Sequence, residues 1–138
     1  MVEANFSMIG YKFTNVELDL TGDVSKELKL SLDPKGCFHS EKGEFELSFD
    51  FYAQSSKENT QKNVLHVTCK ALFRFANVHE IDNIPDYFYA NSIAIVFPYV
   101  RAFISTVTLQ ANVAPIVIPT LNLSALRDTL VSNTAVAK

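Results

Sequence analysis

Hydrophobic and polar positions alternate along the first part of the chain. The clearest runs are VELDL at 16–20, LKLSL at 28–32, FELSFDF at 45–51 and LHVTCKALFRF at 65–75. In each run every second side chain is mostly apolar, which is typical of an antiparallel strand buried on one face. Turn-forming segments separate the runs: TGD at 21–23, DPKG at 33–36, SEKGE at 40–44 and SSKENTQKN at 55–63. The pattern predicts four strands in a meander.

The periodicity changes in the second part of the chain. Apolar side chains now recur at steps of three and four, which predicts a long helix: Phe97, Val100, Ile104, Val107 and Ala111. We expect Pro98 either in the first turn of this helix or at a kink. Asn112 can serve as its C-terminal cap, and Pro115 would prevent the helix from continuing.

A proline-containing segment and a second helix are expected to follow. VAPIVIPTL at 113–121 contains two prolines, so it cannot be helical throughout and should form an extended loop. Asn122 or Ser124 would cap a short last helix that carries Leu126 and Leu130. The predicted fold is therefore a single α+β domain over residues 1–138, with an antiparallel sheet in 1–86 and a helix, proline loop and helix in 87–138.

The long helix is apolar on nearly every face, as its segment IAIVFPYVRAFISTV at 93–107 shows. Such a helix has to be buried on more than one side. A chain with one sheet and two helices has too little surface to bury it alone, so the sequence predicts that this helix lies in a subunit interface. Arg101, inside this segment, would extend its charge to solvent or pair across that interface.

Composition and charge exclude several classes of protein. Hydrophobic residues make up 48% and charged residues 20% of the 138 residues, which is ordinary for a folded domain. The net charge is −3, and no cluster of Lys and Arg suggests a nucleic-acid partner. MVEANFSMIG does not resemble a signal peptide, and Cys37 and Cys69 match no disulfide framework or zinc motif. We expect a cytoplasmic protein with reduced cysteines.

The uncharged run YFYANSIAIVFPYV at 87–100 raises the question of a membrane span. It has fourteen residues, with Asn91, Ser92 and Pro98 inside it, whereas a spanning helix needs about 20 mostly apolar residues. The next uncharged run, 102–126, contains two prolines and several polar residues. Neither run is expected to cross a bilayer.

No pattern in the sequence indicates catalysis. The chain has four glycines and none of the glycine-rich phosphate-binding, zinc-protease or serine-hydrolase motifs. HEIDNIPD at 79–86 collects several ionisable groups, but we interpret it as a solvated connection between sheet and helix. Cys37 and His39 are too few to hold zinc. We expect no enzyme activity, no cofactor and no metal.

The proline loop has two interpretations. In an extended PIVIP segment, Ile116 and Ile118 point to the same side. They either pack on the protein's own sheet or form one wall of a groove that binds extended apolar polypeptide. The residues alone leave both interpretations open.

One part of the sequence is similar to a known family. NSIAIVFPYVRAFISTVTLQANVAPIVIPTLNLSALRDTL, about forty residues, resembles the C-terminal half of the SecB family of protein-export chaperones. The similarity consists of a Phe-Pro-Tyr-x-Arg helix, a proline-containing apolar loop and the start of the last helix, at these positions: Phe97, Pro98, Tyr99, Arg101, Pro115, Pro119, Asn122, Ala125 and Leu126.

The resemblance implies a four-stranded antiparallel sheet with two helices, assembled into a homotetramer as a dimer of dimers. The first helix would lie in the interface between dimers. It also implies an ATP-independent chaperone that holds unfolded polypeptides in the cytoplasm and, in the main members, passes preproteins to the SecA motor. Other members serve a single client such as an antitoxin, and an apolar small-ligand carrier or an enzyme is an alternative from another class.

We assign candidate roles to individual residues on this basis. The candidate client-binding residues are Phe6, Tyr11, Ile116, Ile118, Leu121, Leu126 and Leu130. The candidate interface residues are Phe97, Tyr99, Arg101 and Ile104. Glu17 and Asp19 are candidate acidic contacts for the motor, since acidic residues on the exposed sheet face have that role in the family.

Overall fold

Five strands and two helices are seen in the computed structural model, which describes residues 5–22, 24, 27–57, 60–118 and 122–137. The strands are β1 (Phe6–Leu18), β2 (Leu28–His39), β3 (Glu44–Lys57), β4 (Thr60–Phe75) and β5 (Thr134–Ala137). The helices are α1 (Asp86–Gln110) and α2 (Leu123–Ser132), and a short 3-10 turn, Ile81–Asn83, precedes α1. The predicted α+β fold is confirmed, with one strand more than expected.

The strand order in the sheet is β1-β4-β3-β2-β5. Strands β2, β3 and β4 pair antiparallel in sequence, as expected, but β1 pairs with β4. The predicted meander is therefore wrong for β1. At this edge β1 lies beside α1, where Phe13 stacks on Phe103 with 3.9 Å between the ring centroids. Burial of its aromatic side chains against the helix accounts for that position.

The DPKG segment, predicted as a turn, lies inside β2. A Cβ at Gly36 would lie 2.3 Å from the Phe45 ring and 2.8 Å from the Thr134 hydroxyl, so glycine is needed here for close packing rather than for a turn. The Gly36 N–H donates to the Asn133 carbonyl on the outer side of β2. Pro34, two residues earlier, has no N–H to donate. Its nitrogen lies on the same side of β2 as that of Gly36, away from β3, so the pairing of β2 with β3 loses no hydrogen bond.

Strand β1 starts much earlier than the predicted run at 16–20. Its pairing with β4 is interrupted at Ile9 and at Thr14, each of which is an extra residue opposite no partner. The β-bulge at Ile9 turns Tyr11 and Phe13 to the same side of the sheet as Phe6, and the β-bulge at Thr14 turns Val16 and Leu18 to that side. Because the alternation is shifted twice, a search for period two detects only the end of the strand.

Helix α1 has 25 residues and begins at Asp86. Pro98 is therefore in the interior of the helix rather than in its first turn, where it removes one backbone hydrogen bond. The predicted C-terminal cap is confirmed: Asn112 has φ 62°, its N–H donates to the Leu109 carbonyl at 3.0 Å, and the Val113 N–H donates to the Thr108 carbonyl at 3.2 Å. This is a Schellman motif.

Helix α2 has the predicted Asn122 cap, whose side-chain oxygen accepts from the Ala125 N–H at 3.1 Å. The guanidinium of Arg127 joins Asp86, at the start of α1, to Asp128. After α2 the chain forms β5, which pairs in parallel with residues 36–39 of β2. Alternation over only four residues gave no signal for this strand in the sequence.

The core lies between the sheet and α1, and an aromatic cluster occupies one end of it. The centroid of the Phe88 ring lies close to the centroids of four other phenylalanine rings: 4.9 Å from Phe6, 4.9 Å from Phe45, 5.4 Å from Phe73 and 4.7 Å from Phe75. Phe88, Phe45 and Phe73 are completely buried. The contacts with Phe6, Phe45 and Phe73 are edge-to-face, and such contacts stabilise the packing beyond the burial of area alone.

By length and composition alone, α1 could cross a bilayer. The argument from a fourteen-residue run was therefore wrong about length, because the helix starts before that run and ends after it. One face of α1 packs on the sheet, with Ile93, Val100 and Ile104 fully buried. A core helix shows the same length and apolarity.

Candidate functional site: an apolar groove at the end of α1

A groove of about 370 Å³ opens beside the C-terminal end of α1. The end of β1, the start of β2 and the loop after α1 form its walls. It is lined mainly by aliphatic side chains, among them Leu18, Leu28, Val64, Val113 and Ile116. Among the described residues that line it, none carries a charged side chain, so its chemistry favours an uncharged, apolar ligand.

One wall of the groove is the turn after β1, which Asp19 holds. The Asp19 carboxylate accepts from the Thr21 N–H at 3.0 Å and from the Thr21 hydroxyl at 2.5 Å, and Lys62 Nζ lies 3.2 Å away. These hydrogen bonds to Thr21 and the Lys62 ammonium lower the pKa of Asp19 to about 2. The turn places Leu20 and Gly22 in the groove, and Gly22 has φ 72°, which favours glycine.

The opposite wall is the proline loop, which Thr108 ties to α1. The Thr108 hydroxyl accepts from the Ile116 N–H at 3.1 Å and lies within hydrogen-bonding distance, 3.0 Å and 3.1 Å, of the carbonyls of Ile104 and Ser105. Thr108 is 1% exposed. A single buried hydroxyl therefore satisfies the loop backbone and fixes its distance from the helix.

The side of the proline loop that faces solvent carries Val117 and not the two isoleucines considered in the sequence analysis. Val117 is 75% exposed, whereas Ile118 is 4% exposed and Ile116 is half-buried. The two isoleucines do share a side, but that side faces the protein. For Ile118, packing on the protein itself is thus the alternative that the structure supports.

The predicted client-binding residues do not form one site. Ile116 lines the groove, while Leu130 is fully buried and Leu126 packs against the core. Phe6 belongs to the aromatic cluster at the other end of α1, and Tyr11 lies on β1 beside α1. Leu121 lies outside the described residues.

The sequence missed most of the groove. Leu18 and Leu20 appeared only as members of a strand pattern, and Val64 falls between the break predicted at 55–63 and the strand predicted from Leu65. Nothing in the sequence pattern assigned Val113 or Thr108 to a site, because their positions in the groove depend on where α1 ends. The capping Asn112 was the one feature that could have indicated a change of chain direction here.

A second apolar surface runs along α1 and β1. The rings of Tyr11 and Tyr99 stack with 4.4 Å between their centroids, and both side chains are about 40% exposed, as are Ile95 and Val16. The outward-facing side of α1 continues to Leu109, which is 60% exposed. This surface, formed by Tyr11, Val16, Ile95, Tyr99 and Leu109, is called the α1 surface below.

The predicted interface residues divide between this surface and the core. Tyr99 belongs to the α1 surface, and Arg101 is exposed with its guanidinium 4.7 Å from the centre of the Phe97 ring. Phe97 itself is 6% exposed and Ile104 is completely buried. Both pack inside the protomer because they face the sheet.

The face of the sheet away from α1 is charged but nearly neutralised. Three carboxylates there have a cationic partner, Glu44 with Arg74 at 2.7 Å, Glu46 with Lys70 at 3.7 Å and Asp33 with Lys35 at 3.9 Å, and Asp50 lies within hydrogen-bonding distance of His66 at 2.9 Å. Glu17, a candidate motor contact, is exposed on this face. The other candidate, Asp19, is the turn-forming residue described above.

The described residues include no group of three or more His, Cys, Asp and Glu side chains that could hold a metal ion. Burial raises the pKa of the Cys69 thiol to about 11, so that thiol is neutral and unreactive near pH 7. The groove is partly open to solvent, whereas a small-ligand carrier is expected to have a closed cavity with converging polar groups. The arrangement is suited to binding an extended apolar segment.

Comparison with known proteins identifies relatives of the chain. The sequence model of the SecB family, described as preprotein translocase subunit SecB, matches residues 15–132. An uncharacterized protein of Methanocaldococcus jannaschii is 35% identical over 71 residues, which are 51% of this chain and 46% of that protein. The match thus spans about half the length of that curated relative.

A solved structure has a similar fold. The SecB-like chaperone of Mycobacterium tuberculosis, determined in complex with a ChAD peptide from the HigA1 antitoxin, superposes with a TM-score of 0.62. The two chains are 12% identical, and the alignment covers 85% of this chain and 91% of the other. At that identity the likeness concerns the fold.

Proposed function

Because the chain belongs to the SecB family, we propose that it is an ATP-independent chaperone that holds non-native polypeptides in the cytoplasm. Membership of that family supports a chaperone role, and the apolar groove at the end of α1 is the observation that carries the proposal. The groove is partly open to solvent, and the described residues that line it are mainly aliphatic and come from three parts of the chain. An aliphatic surface of this kind can bind the apolar side chains that an unfolded client exposes.

The proposed mechanism is selective binding of the unfolded state. A client segment in extended conformation has apolar side chains on alternate sides, and one side would enter the groove against Leu18, Val113 and Ile116. Each buried aliphatic side chain contributes about 1.5–3 kcal/mol, which is weak for a single contact. A ligand that binds only the unfolded state shifts the folding equilibrium towards that state. No nucleotide is required for this step.

We further propose that copies of the chain associate through the α1 surface into a homotetramer. The surface presents contiguous apolar side chains, Tyr11, Tyr99 and Ile95 among them, which are costly to leave in water. Several grooves in one assembly would then bind several segments of the same client. Linked weak contacts of this kind add through their effective concentration.

The decisive experiment is suppression of aggregation. A chemically denatured model protein is diluted into buffer with and without the purified chain, in the absence of nucleotide, and light scattering is followed. We expect suppression at stoichiometric concentration and a tetramer by analytical ultracentrifugation. A monomer that leaves the scattering unchanged would overturn the proposal.

The neutralised outer face of the sheet supports a second candidate, a chaperone dedicated to one client. Transfer to the SecA motor through acidic residues is a family property, but here three of the outer-face carboxylates already pair with Lys or Arg, and a fourth, Asp50, is hydrogen-bonded to His66. The SecB-like chaperone of M. tuberculosis was solved with an antitoxin peptide, which is a client of the dedicated kind. Binding of purified SecA, measured by calorimetry, separates the two candidates: general export requires it, and dedicated service to one client does not.

A further inference from the structure

We propose that Asn15 and His66, on the outer face of the sheet, are positioning residues for the groove on the opposite face. The inference rests on the proposed client-binding role of the groove. Neither side chain lines the groove. They act through the register of β1, which decides whether Leu18 faces the groove or the solvent.

The register of β1 depends on the bulge at Thr14. Phe13 pairs with Cys69 and Asn15 with Thr68, so Thr14 is one residue too many. Phe13 and Leu18 both lie on the α1 side of the sheet although five positions separate them. A regular strand would place them on opposite faces. The bulge is therefore required for Leu18 to reach the groove.

Two contacts in opposite directions hold the bulge in place. On its N-terminal side, the Phe13 ring stacks on Phe103 of α1 at 3.9 Å with an interplanar angle of 10°. On its C-terminal side, the Asn15 amide nitrogen lies 3.3 Å from Nδ1 of His66 on the outer face. Since Phe13 is held inward and Asn15 outward, Thr14 has to be accommodated between them.

The histidine is itself fixed, so it can anchor Asn15. The amide N–H donates to Nδ1, which leaves the ring proton on Nε2 to be donated to the Asp50 carboxylate at 2.9 Å. Thr68 donates to the same carboxylate oxygen at 2.6 Å, and the Tyr52 ring lies parallel to the imidazole at 4.3 Å. The contacts join β1 to β4 and β3.

Loss of the contact from Asn15 would allow β1 to slip by one residue. If Phe13 stayed opposite Cys69 and Thr14 became a regular paired residue, every later residue of β1 would shift by one position along β4. Val16 would then lie opposite His66, and Glu17 opposite Leu65. Every side chain after the bulge would change face. Glu17 would then enter the groove side, and Leu18 would point to solvent.

A second pair of outer-face side chains lies beside another bulge that serves the groove. Val64 is the extra residue of β4 opposite β3, it is 1% exposed and it lines the groove. Next to it, Gln54 Nε2 donates to Asn63 Oδ1 across the two strands at 2.9 Å. Both bulges that aim aliphatic side chains at the groove thus have a polar side-chain contact on the outer face.

The test compares Asn15→Ala in two backgrounds. In the full chain we expect the substitution to weaken binding of a short fluorescein-labelled peptide of alternating leucine and serine about tenfold, because one aliphatic wall residue is lost. Deletion of Thr14 makes β1 regular with Phe13, Val16 and Leu18 on one face. In that background Asn15→Ala should leave the affinity unchanged. Fluorescence anisotropy measures all four proteins.

The outcomes separate this inference from the proposed function. If the unaltered chain fails to bind the peptide, the proposed function fails. If it binds, and Asn15→Ala has no effect or the same effect in both backgrounds, the positioning role is overturned. Ser7→Ala, on the outer face of the same strand, is the control and should bind normally. Should the deletion variant not fold, the cross-strand NMR contact between Val16 and Val67 decides: its persistence in Asn15→Ala overturns the inference.

Discussion

The two ends of α1 lie on the same sheet but are packed in different ways. Near its N-terminus, Phe88 is enclosed by four phenylalanine rings and is completely buried. Near its C-terminus, Ile104 and Thr108 are buried as well, but beside them lies an open groove of about 370 Å³. The first end is held by side-chain packing, and the second by a few hydrogen bonds that keep two loops apart.

The difference shows how a small domain can keep an apolar surface open. If the groove end were held by packing, its loops would close on each other and bury the surface meant for a client. Asp19 and Thr108 instead fix the backbone of each wall through polar contacts, which leaves part of the aliphatic surface between them exposed in the groove. Stability and binding should therefore respond to different substitutions.

Phe88→Ala should have the largest effect, and on stability alone. Removing a fully buried phenylalanine from the aromatic cluster should lower the free energy of unfolding by about 3–5 kcal/mol. Urea denaturation followed by circular dichroism measures this loss. Asn91→Ala, at an exposed position of the same helix outside the α1 surface, is the control and should cost under about 1 kcal/mol. A small loss at Phe88 would mean that the cluster does not hold this end of the helix.

Val113→Asp should affect binding without affecting stability. Val113 lines the groove and is 37% exposed, so a carboxylate there repels an apolar client and should weaken peptide binding by at least about tenfold. The free energy of unfolding should change by less than about 0.5 kcal/mol. Val136→Asp, at a valine of similar exposure on β5, should leave peptide affinity unchanged. Equal losses in both variants would place the client elsewhere.

Regular elements were predictable from the sequence because their patterns are local. Alternation identified β3 and most of β4, and the three- and four-residue spacing identified α1. Asn112 and Asn122 marked a helix end and a helix start correctly, since caps depend on backbone geometry within a few residues. The partner of β1 was not predictable, because it depends on contacts between residues far apart in sequence.

The groove was less predictable because shifts of a single residue decide it. Val117 rather than Ile118 is exposed, and two bulges in β1 hide its alternation. A change of one position in an extended segment exchanges its two faces. Composition and periodicity do not report such shifts, so the sequence indicated an apolar segment near residue 116 but not most of the other side chains that line the groove.

Thr108→Val tests the hydrogen bonds at the groove end. The substitution keeps the shape of the side chain but leaves the Ile116 N–H without its acceptor, which should cost about 1–3 kcal/mol. We expect faster hydrogen exchange at Ile116 and weaker peptide binding, with the aromatic cluster unchanged. Thr108→Ser keeps the hydroxyl and should retain the slow exchange. If serine and valine behave alike, the hydroxyl is not what holds the loop.

The smallest effect concerns pH and the turn formed by Asp19. Its pKa is lowered from an ordinary value of 3.8 to about 2 by the hydrogen bonds from Thr21 and the charge of Lys62. A carboxylate whose pKa is lower in the folded state contributes stability that is fully present above about pH 4 and is lost as the pH falls through about 2. Asp19→Asn, which keeps an acceptor but cannot titrate, should remove that part of the acid sensitivity.

Urea midpoints measured between pH 5 and 2 should fall less steeply for the variant, and the difference should shrink in high salt as the Lys62 pair is screened. Parallel pH curves for the two proteins would show that Asp19 does not hold the turn.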